Sequence, residues 1–474
     1  MKGWALPIGV KDMCRNRFWQ GGFRSALFFA LFLLPAFSGE ALDLPTRRVE
    51  DDSSLRISLR DGWLTETPAR VLAKKPLTRS LPGGGRVEVR AEAAGRDEFL
   101  VILARELRTG ERGSGTFPGW AQGSWILSRR RDTGAPTRLR VFPRSDPYTY
   151  VQFFPLSADK CRMDLVLYDA YVIRSLPLPV PFERLLTMPV EELYAMAGDR
   201  FPRRYFDPDP ADYRDLQGFM SRLRERLPEL EFRDDGAFDE NGRYVYIASL
   251  EGQGENPGLN CSGFAKWVVD GILRPVTGER LAIEPLKAPY GQRGSSFTEA
   301  WEELRDPFFG LDWTRNLASR AMSVLRSPAS GGIEDFEVRS WPFSRLIIRQ
   351  SGRSGRETLS EREYPGYLEN SGFGFEGLQP LLYTLAIDEP GRIYLASVNN
   401  ETGPPASPDN PRGMPRMRQH FHVAVLAPYF NEYGNFQVAV FESAEETRFS
   451  NFRTRYPGHN VNLVRLPVEG SFDP

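Results

Sequence analysis

A cysteine set at the head of an amphipathic helix constrains this chain more than any other feature. It lies in Gly258-Leu259-Asn260-Cys261-Ser262-Gly263-Phe264-Ala265-Lys266-Trp267-Val268-Val269-Asp270-Gly271-Ile272. Phe264, Trp267, Val268, Gly271 and Ile272 recur at helical spacing, so one stripe can pack on a core while Lys266 and Asp270 fall toward water. Gly258 and Asn260 supply turn and capping chemistry upstream, and Pro275 cannot continue the helix, so the signals bracket about three turns that start beside Cys261. A buried packing role is the commoner fate of a lone cysteine. Placement at a helix start argues for chemistry instead, because the unpaired amides and positive dipole end favour a thiolate there.

The rest of the chain sets the compartment and the bounds. With 474 residues, 41% of them hydrophobic, there is enough chain for two or three domains, and disorder as the main state is excluded. A formal net charge of -1 gives no sign of a dedicated nucleic-acid binder. Residues 1–41 are locally basic, with Lys2, Lys11, Arg15, Arg17 and Arg24 ahead of the apolar run Ala26 to Phe37 and the small residues Ala36, Ser38 and Ala41. That order predicts a secretory signal peptide over residues 1–41, hence an exported protein, periplasmic or extracellular, with no membrane span after cleavage. Beyond it only Cys161 and Cys261 remain, in segments that read as different domains, which argues against a disulfide. The three histidines, His420, His422 and His459, show no zinc-binding spacing, so neither a metal nor a cofactor is expected.

In chain order, Leu55 to Leu59, Val87 to Val89 and Arg138 to Val141 alternate apolar and polar, while Phe99 to Leu103, Tyr148 to Phe154 and Met163 to Val172 are denser apolar runs. Separated by turn words such as Pro82-Gly83-Gly84-Gly85, they predict a β-sandwich domain over 42–176. Arg129, Arg130, Arg131, Arg138, Arg140 and Arg144 could meet an anionic cell-envelope polymer there or simply be solvated. Leu176-Pro177-Leu178-Pro179-Val180-Pro181 reads as the start of a Pro-rich linker and helical bridge over 177–235, with helices at Val190 to Met196 and Leu216 to Leu227. From 236 to 474 a mixed domain follows: a strand at Tyr244 to Ile247, the cysteine helix, and an insertion of about 274–380. That insertion holds a helix from Trp313 to Leu325 and a polar loop around Arg349 to Arg362. Strands at Arg392 to Leu395, His422 to Ala427 and Phe436 to Glu442 close the domain.

A cysteine nucleophile needs a base and usually a third group that orients it. His422 opens a strand and is the expected base, with His420, of the same strand parity, as the runner-up. Pairing Phe430 with Phe436 around the Asn431 to Asn435 turn puts Ala424 opposite Glu442, so Glu442 shares a sheet face with His422 and can hold its ring. His459 stays open as an alternative third group, and a solvated Glu442 as the bland one.

Asn-Cys-Ser-Gly-Phe at 260–264 resembles the Asp-Cys-Ser-Gly-Leu/Phe element of the NlpC-type papain-like cysteine peptidases. The Pro390-Gly391 turn into a strand followed by His422-Val423-Ala424-Val425 matches the same family's order, and Tyr244-Val245-Tyr246 is similar to its Tyr-Val-Trp element. The resemblance spans about 236–466 and implies an α+β papain-like domain with a large insertion between Cys261 and His422. It implies Cys261 as nucleophile, His422 as base, and Tyr244, or Tyr246, as an oxyanion donor beside the Cys261 amide. The implied activity is hydrolysis of an amide in bacterial cell-wall (peptidoglycan) peptides. Family members more often use a second histidine as third group, and related amidohydrolases a glutamate. Two other readings stay open: a lipid acyltransferase or thioesterase with the same dyad, and an envelope-binding protein whose site has decayed.

Overall fold

The computed structural model describes residues 51–82, 84–108, 111, 113–291, 306–325, 332–351, 357–402, 417–468 and 471–474. The expected signal peptide lies outside the described residues. From Leu77 onward the apolar runs form an antiparallel meander: β1 (Leu77–Ser80), β2 (Arg86–Ala94), β3 (Glu98–Arg105), β4 (Trp125–Arg130), β5 (Pro136–Val141), β6 (Tyr150–Pro155), β7 (Cys161–Leu167) and β8 (Ala170–Leu178), each paired with the next. The stretch expected as one strand from Met163 to Val172 is two, because Tyr168 and Asp169 adopt φ of 46° and 64°, the left-handed pair that closes a two-residue hairpin. Leu55 to Leu59, expected as a strand, is helical (Ser53–Leu59), placing Leu55 and Leu59 one turn apart. Buried Arg56 bonds to Asp51 and to the Met188 carbonyl.

These strands do not make a two-sheet sandwich. After β9 (Gly236–Phe238) and β10 (Tyr244–Tyr246), which pair with each other, β11 (Arg345–Ser351) and β12 (Glu357–Glu363) extend the meander. Arg345 pairs with Tyr171 and Leu346 with Ala170, giving one ten-stranded sheet. The polar segment expected to be a loop around Arg349 to Arg362 is therefore largely a hairpin. Its charged outer strand is the kind of edge that resists further pairing, and that charge hid it from apolar-run criteria. Nor is Pro177–Pro181 a divide. Leu178 closes the β7–β8 ladder opposite Cys161, one buried core runs from Leu59 through Phe264 to Leu466, and Leu44–Pro474 is one compact unit. Proline is tolerated there because it sits at the end of β8, where few ladder donors are needed.

The basic residues of β4 and β5 are largely spoken for. Arg129 donates to the carbonyls of Gly134 and Glu66, Arg130 pairs with Asp132, and Arg140 lies 4.3 Å from the centre of the Tyr150 ring. Burial pushes the Arg138 guanidinium down to about 10. Arg129 is thus used in the interior, whereas the Arg130–Asp132 pair is exposed.

The second sheet carries the site. Its order is β13 (Phe373–Gly374), β18 (Asn460–Pro467), β14 (Arg392–Thr402), β15 (Met417–Phe430), β16 (Phe436–Glu442) and β17 (Glu445–Arg448), with every pair antiparallel. Strand periodicity divides its core. Val423, Val425 and Ala427 face the helices Cys261–Thr277 and Phe309–Leu325, whereas Ala424, Leu426 and Val440 face Leu378–Asp388 and Phe449–Arg455. The Phe309–Leu325 helix, expected as part of the insertion, is thus core: Trp313 and Leu317 are fully buried, and Trp313 Nε1 donates to the Ser262 carbonyl at 2.9 Å. The bridge helices appear near their expected places, at Val190–Ala197 and Arg214–Arg226.

Two expectations for the cysteine helix are corrected. It runs 17 residues, Cys261–Thr277, straight through Pro275. Proline leaves the carbonyl four residues earlier without its helical donor, and here that carbonyl, Gly271 O, accepts the Asp473 N–H at 2.9 Å. Lys266 and Asp270 do not face water either. Their side chains are 0% and 1% exposed and joined at 2.6 Å, and Asp270 also accepts the Leu281 N–H at 2.9 Å. The chain turns back at Gly278 (φ 74°), which brings residues 279–283 over the helix side that a two-faced wheel assigns to solvent.

Candidate active site

Cys261 occupies the first helical position. Asn260 is the N-cap, extended at φ −88° and ψ −174°, and its Oδ1 accepts the Gly263 N–H at 2.8 Å. That satisfies one of the amides a helix start leaves open. The cap is neutral, so it adds no carboxylate beside the sulfur. Gly263 has a separate cause: a Cβ there would sit 2.0 Å from Gly236 O, so only glycine lets the helix lie this close to β9.

His422 belongs by parity to the sheet face of Ala424 and Leu426, opposite to the face on which the cysteine helix packs. The two meet because β16 stops at Glu442 and leaves the edge of β15 open at that point. There the thiol is acted on by His422, by the Val423 backbone and by the Ser262 side chain, all of which favour its ionised form. His422 Nε2 lies 2.7 Å from Glu442 Oε2, which leaves Nδ1 for the sulfur. The Phe430–Phe436 register places Glu442 one step beyond the Val425–Phe441 pair, on the His422 face, as the turn predicts. Glu442 is 4% exposed, and its Oε1 accepts from Arg455 Nη1 at 2.7 Å.

The electrostatics follow from this chain of contacts. Burial opposes charge on all three groups, yet the partners prevail. Against burial, the Cys261 and Glu442 hydrogen bonds raise the His422 imidazole to about 9. Burial likewise raises Glu442, but His422, Thr447 and Arg455 outweigh it and hold the carboxyl at about 2. Burial lifts the Cys261 thiol, and the bond and charge of His422 more than offset it, leaving the thiol below its ordinary value. The coupling of the two groups favours a thiolate–imidazolium pair over the neutral thiol and imidazole. Cys161, fully buried in β7 with no such partner, is pushed up to about 11.

His420 is not an alternative base. A β-bulge between Val398 and Asn399 leaves Phe421 as the extra residue and turns His420 to the face opposite His422. There it lies against Gly310, with Nδ1 2.8 Å from Ser397 Oγ and Nε2 3.0 Å from the Asn370 carbonyl. Burial drives its imidazole to about 3, so it is neutral. His459 lies edge-on to Phe421 and tilted against Tyr456 and bonds the Pro457 carbonyl, outside the chain from Cys261 to Glu442. Tyr244 packs its ring 4.2 Å from that of Phe238, and Tyr246 Oη accepts from Arg233. Neither tyrosine hydroxyl is drawn into the Cys261–His422–Glu442 chain. Two contributors carry no local sequence signal: the Val423 backbone, which lowers the Cys261 thiol, and Arg455, delivered by a short helix. Among the described residues no group of His, Cys, Asp and Glu could hold a metal ion.

A family model described as "Domain of unknown function (DUF8515)" matches residues 45–205. That match covers the meander and runs past Pro177–Pro181, and it contains none of Cys261, His422 and Glu442. No curated protein and no solved structure matches the chain. Among the described residues, no helix is long and apolar enough to cross a membrane.

Proposed function

We propose that the protein is an exported cysteine hydrolase of NlpC type that cleaves an amide bond in bacterial cell-wall peptides through a Cys261 thioester. The observation that carries this reading is the Cys261–His422–Glu442 cluster at a helix start, with His422 hydrogen-bonded to Glu442 and acting on the Cys261 thiol. Support for the NlpC-type assignment comes from the cysteine helix packed on an antiparallel sheet whose β14–β15–β16 order carries the histidine.

In this mechanism the thiolate forms an S–C bond to the scissile carbonyl, and the oxyanion is received at the Cys261 N–H, which has no carbonyl one turn earlier in its own helix. The imidazolium of His422 gives its proton to the leaving nitrogen as the C–N bond breaks. Water then loses a proton to His422 and adds to the thioester carbon, and the S–C bond breaks to restore the thiolate. Glu442 keeps the ring oriented and stabilises its cationic form. Tyr244 is proposed as a second oxyanion donor.

Incubating the purified chain with soluble wall peptides and identifying new amino termini by mass spectrometry tests this. New termini that vanish in Cys261→Ser support it. Turnover of acyl thioesters with intact wall peptides would transfer the dyad to the lipid reading, and a Cys261 unreactive to alkylation would leave binding alone.

A further inference from the structure

Behind the proposed base and its carboxylate stands a fourth charged group. Arg455 closes the Phe449–Arg455 helix, and its guanidinium takes Glu442 Oε1 while Oε2 faces His422, each at 2.7 Å. The two oxygens thus have different cationic partners, so rotating the carboxylate would break both contacts at once. The groups facing Glu442 are His422 from β15, Thr447 from β17, and Arg455 with its neighbour Tyr456. Of these, Thr447 is neutral, and Tyr456, held up at about 12, is neutral as well. Beside His422, Arg455 is therefore the other cation that balances a carboxylate only 5% exposed, and it does so from the solvent side, itself 34% exposed. Its remaining ring contact is with Tyr456, 5.7 Å away, whose ring lies 5.9 Å from that of His422. A guanidinium used only to hold down a helix end would not need to meet the one carboxylate that serves the base.

We propose that Arg455 is a positioning residue for the hydrolysis proposed above: it clamps Glu442 so that Oε2 stays on His422 through the cycle of imidazole and imidazolium. This rests on the Cys261–His422 reading. Without the clamp the carboxylate can turn toward solvent, the imidazolium loses its charge-assisted bond, and the thiolate loses its partner.

The test uses the full chain with Arg455→Met, Arg455→Lys, Glu442→Gln and the Arg455→Met/Glu442→Gln pair. One readout is the iodoacetamide rate at Cys261 between pH 5 and pH 9, followed by mass spectrometry; the other is kcat and KM on wall peptides. Arg455→Met is expected to slow alkylation at pH 6 several-fold and to lower kcat by about tenfold with KM nearly unchanged. Lysine should restore most of both, and the double variant should be no slower than Glu442→Gln alone, since the two side chains act as one unit. If Arg455→Met melts early, Arg455→Gln, which keeps a donor without charge, gives the same comparison. Wild-type alkylation in Arg455→Met, or losses that multiply in the double variant, overturn the clamp while leaving the catalytic reading intact. A wild-type Cys261 that alkylates slowly and ignores His422→Ala sinks both.

Discussion

Replacing Glu442 by glutamine removes one charge from the site and keeps its shape. The rise of His422 from 6.5 to about 9 corresponds to about 3 kcal/mol of net preference for the imidazolium. Two acceptors supply it against burial, the Cys261 sulfur and Glu442, so the glutamine variant, which removes one of the two negative partners, lowers the imidazole. The proton held on His422 is what stabilises the thiolate, so the upper inflection of the Cys261 alkylation profile, where the imidazolium is lost, should move to lower pH, with Cys161 unreactive in both proteins as an internal control. Stability should respond as well. The elevated His422 contributes fully below 6.5 and loses that contribution as pH rises through about 9. The depressed Glu442 contributes fully above 4.5 and loses it as pH falls through about 2. Their joint contribution is therefore greatest between 4.5 and 6.5, and urea melts of wild type and variant should differ most there. A correctly folded Glu442→Gln protein whose alkylation profile and pH–stability curve match the wild type would refute this coupling.

Further expectations follow from the cysteine helix. Gly263→Ala drives a Cβ to 2.0 Å from Gly236 O, a contact with backbone that cannot swing away, and should cost at least about 1–3 kcal/mol in denaturant melts. Lys266→Met strands Asp270 in the interior and should cost about 3–5 kcal/mol, whereas Lys266→Met/Asp270→Asn, which keeps an acceptor for the Leu281 N–H, should recover most of it. Asn260→Ala should lose about 1 kcal/mol with the cap. Asn260→Asp should keep the stability but place a carboxylate beside Cys261, so that alkylation at pH 6 slows.

The sequence by itself determined what depends on near neighbours. The helix beginning at Cys261 was legible because capping and apolar spacing are local, and Glu442 could be set beside His422 because a tight turn fixes register residue by residue. Tertiary structure decided what depends on distant chain. Lys266 and Asp270 alternate like solvent-facing residues, yet residues 279–283 fold over them. Pro275 should stop a helix, yet Asp473 supplies the missing donor from almost two hundred residues away. His420 and His422 share parity on paper, and a bulge opposite β14 separates them, since only the partner strand can define where an extra residue is inserted. The edge strand β12 carries too much charge to read as a strand until β11 and β8 are in place beside it. Arg455 belongs to no motif. Its meeting with Glu442 exists only because a short helix after β17 folds back on the strand end, a placement set by packing of Phe452 and Tyr456 in the core rather than by any pattern around the arginine itself.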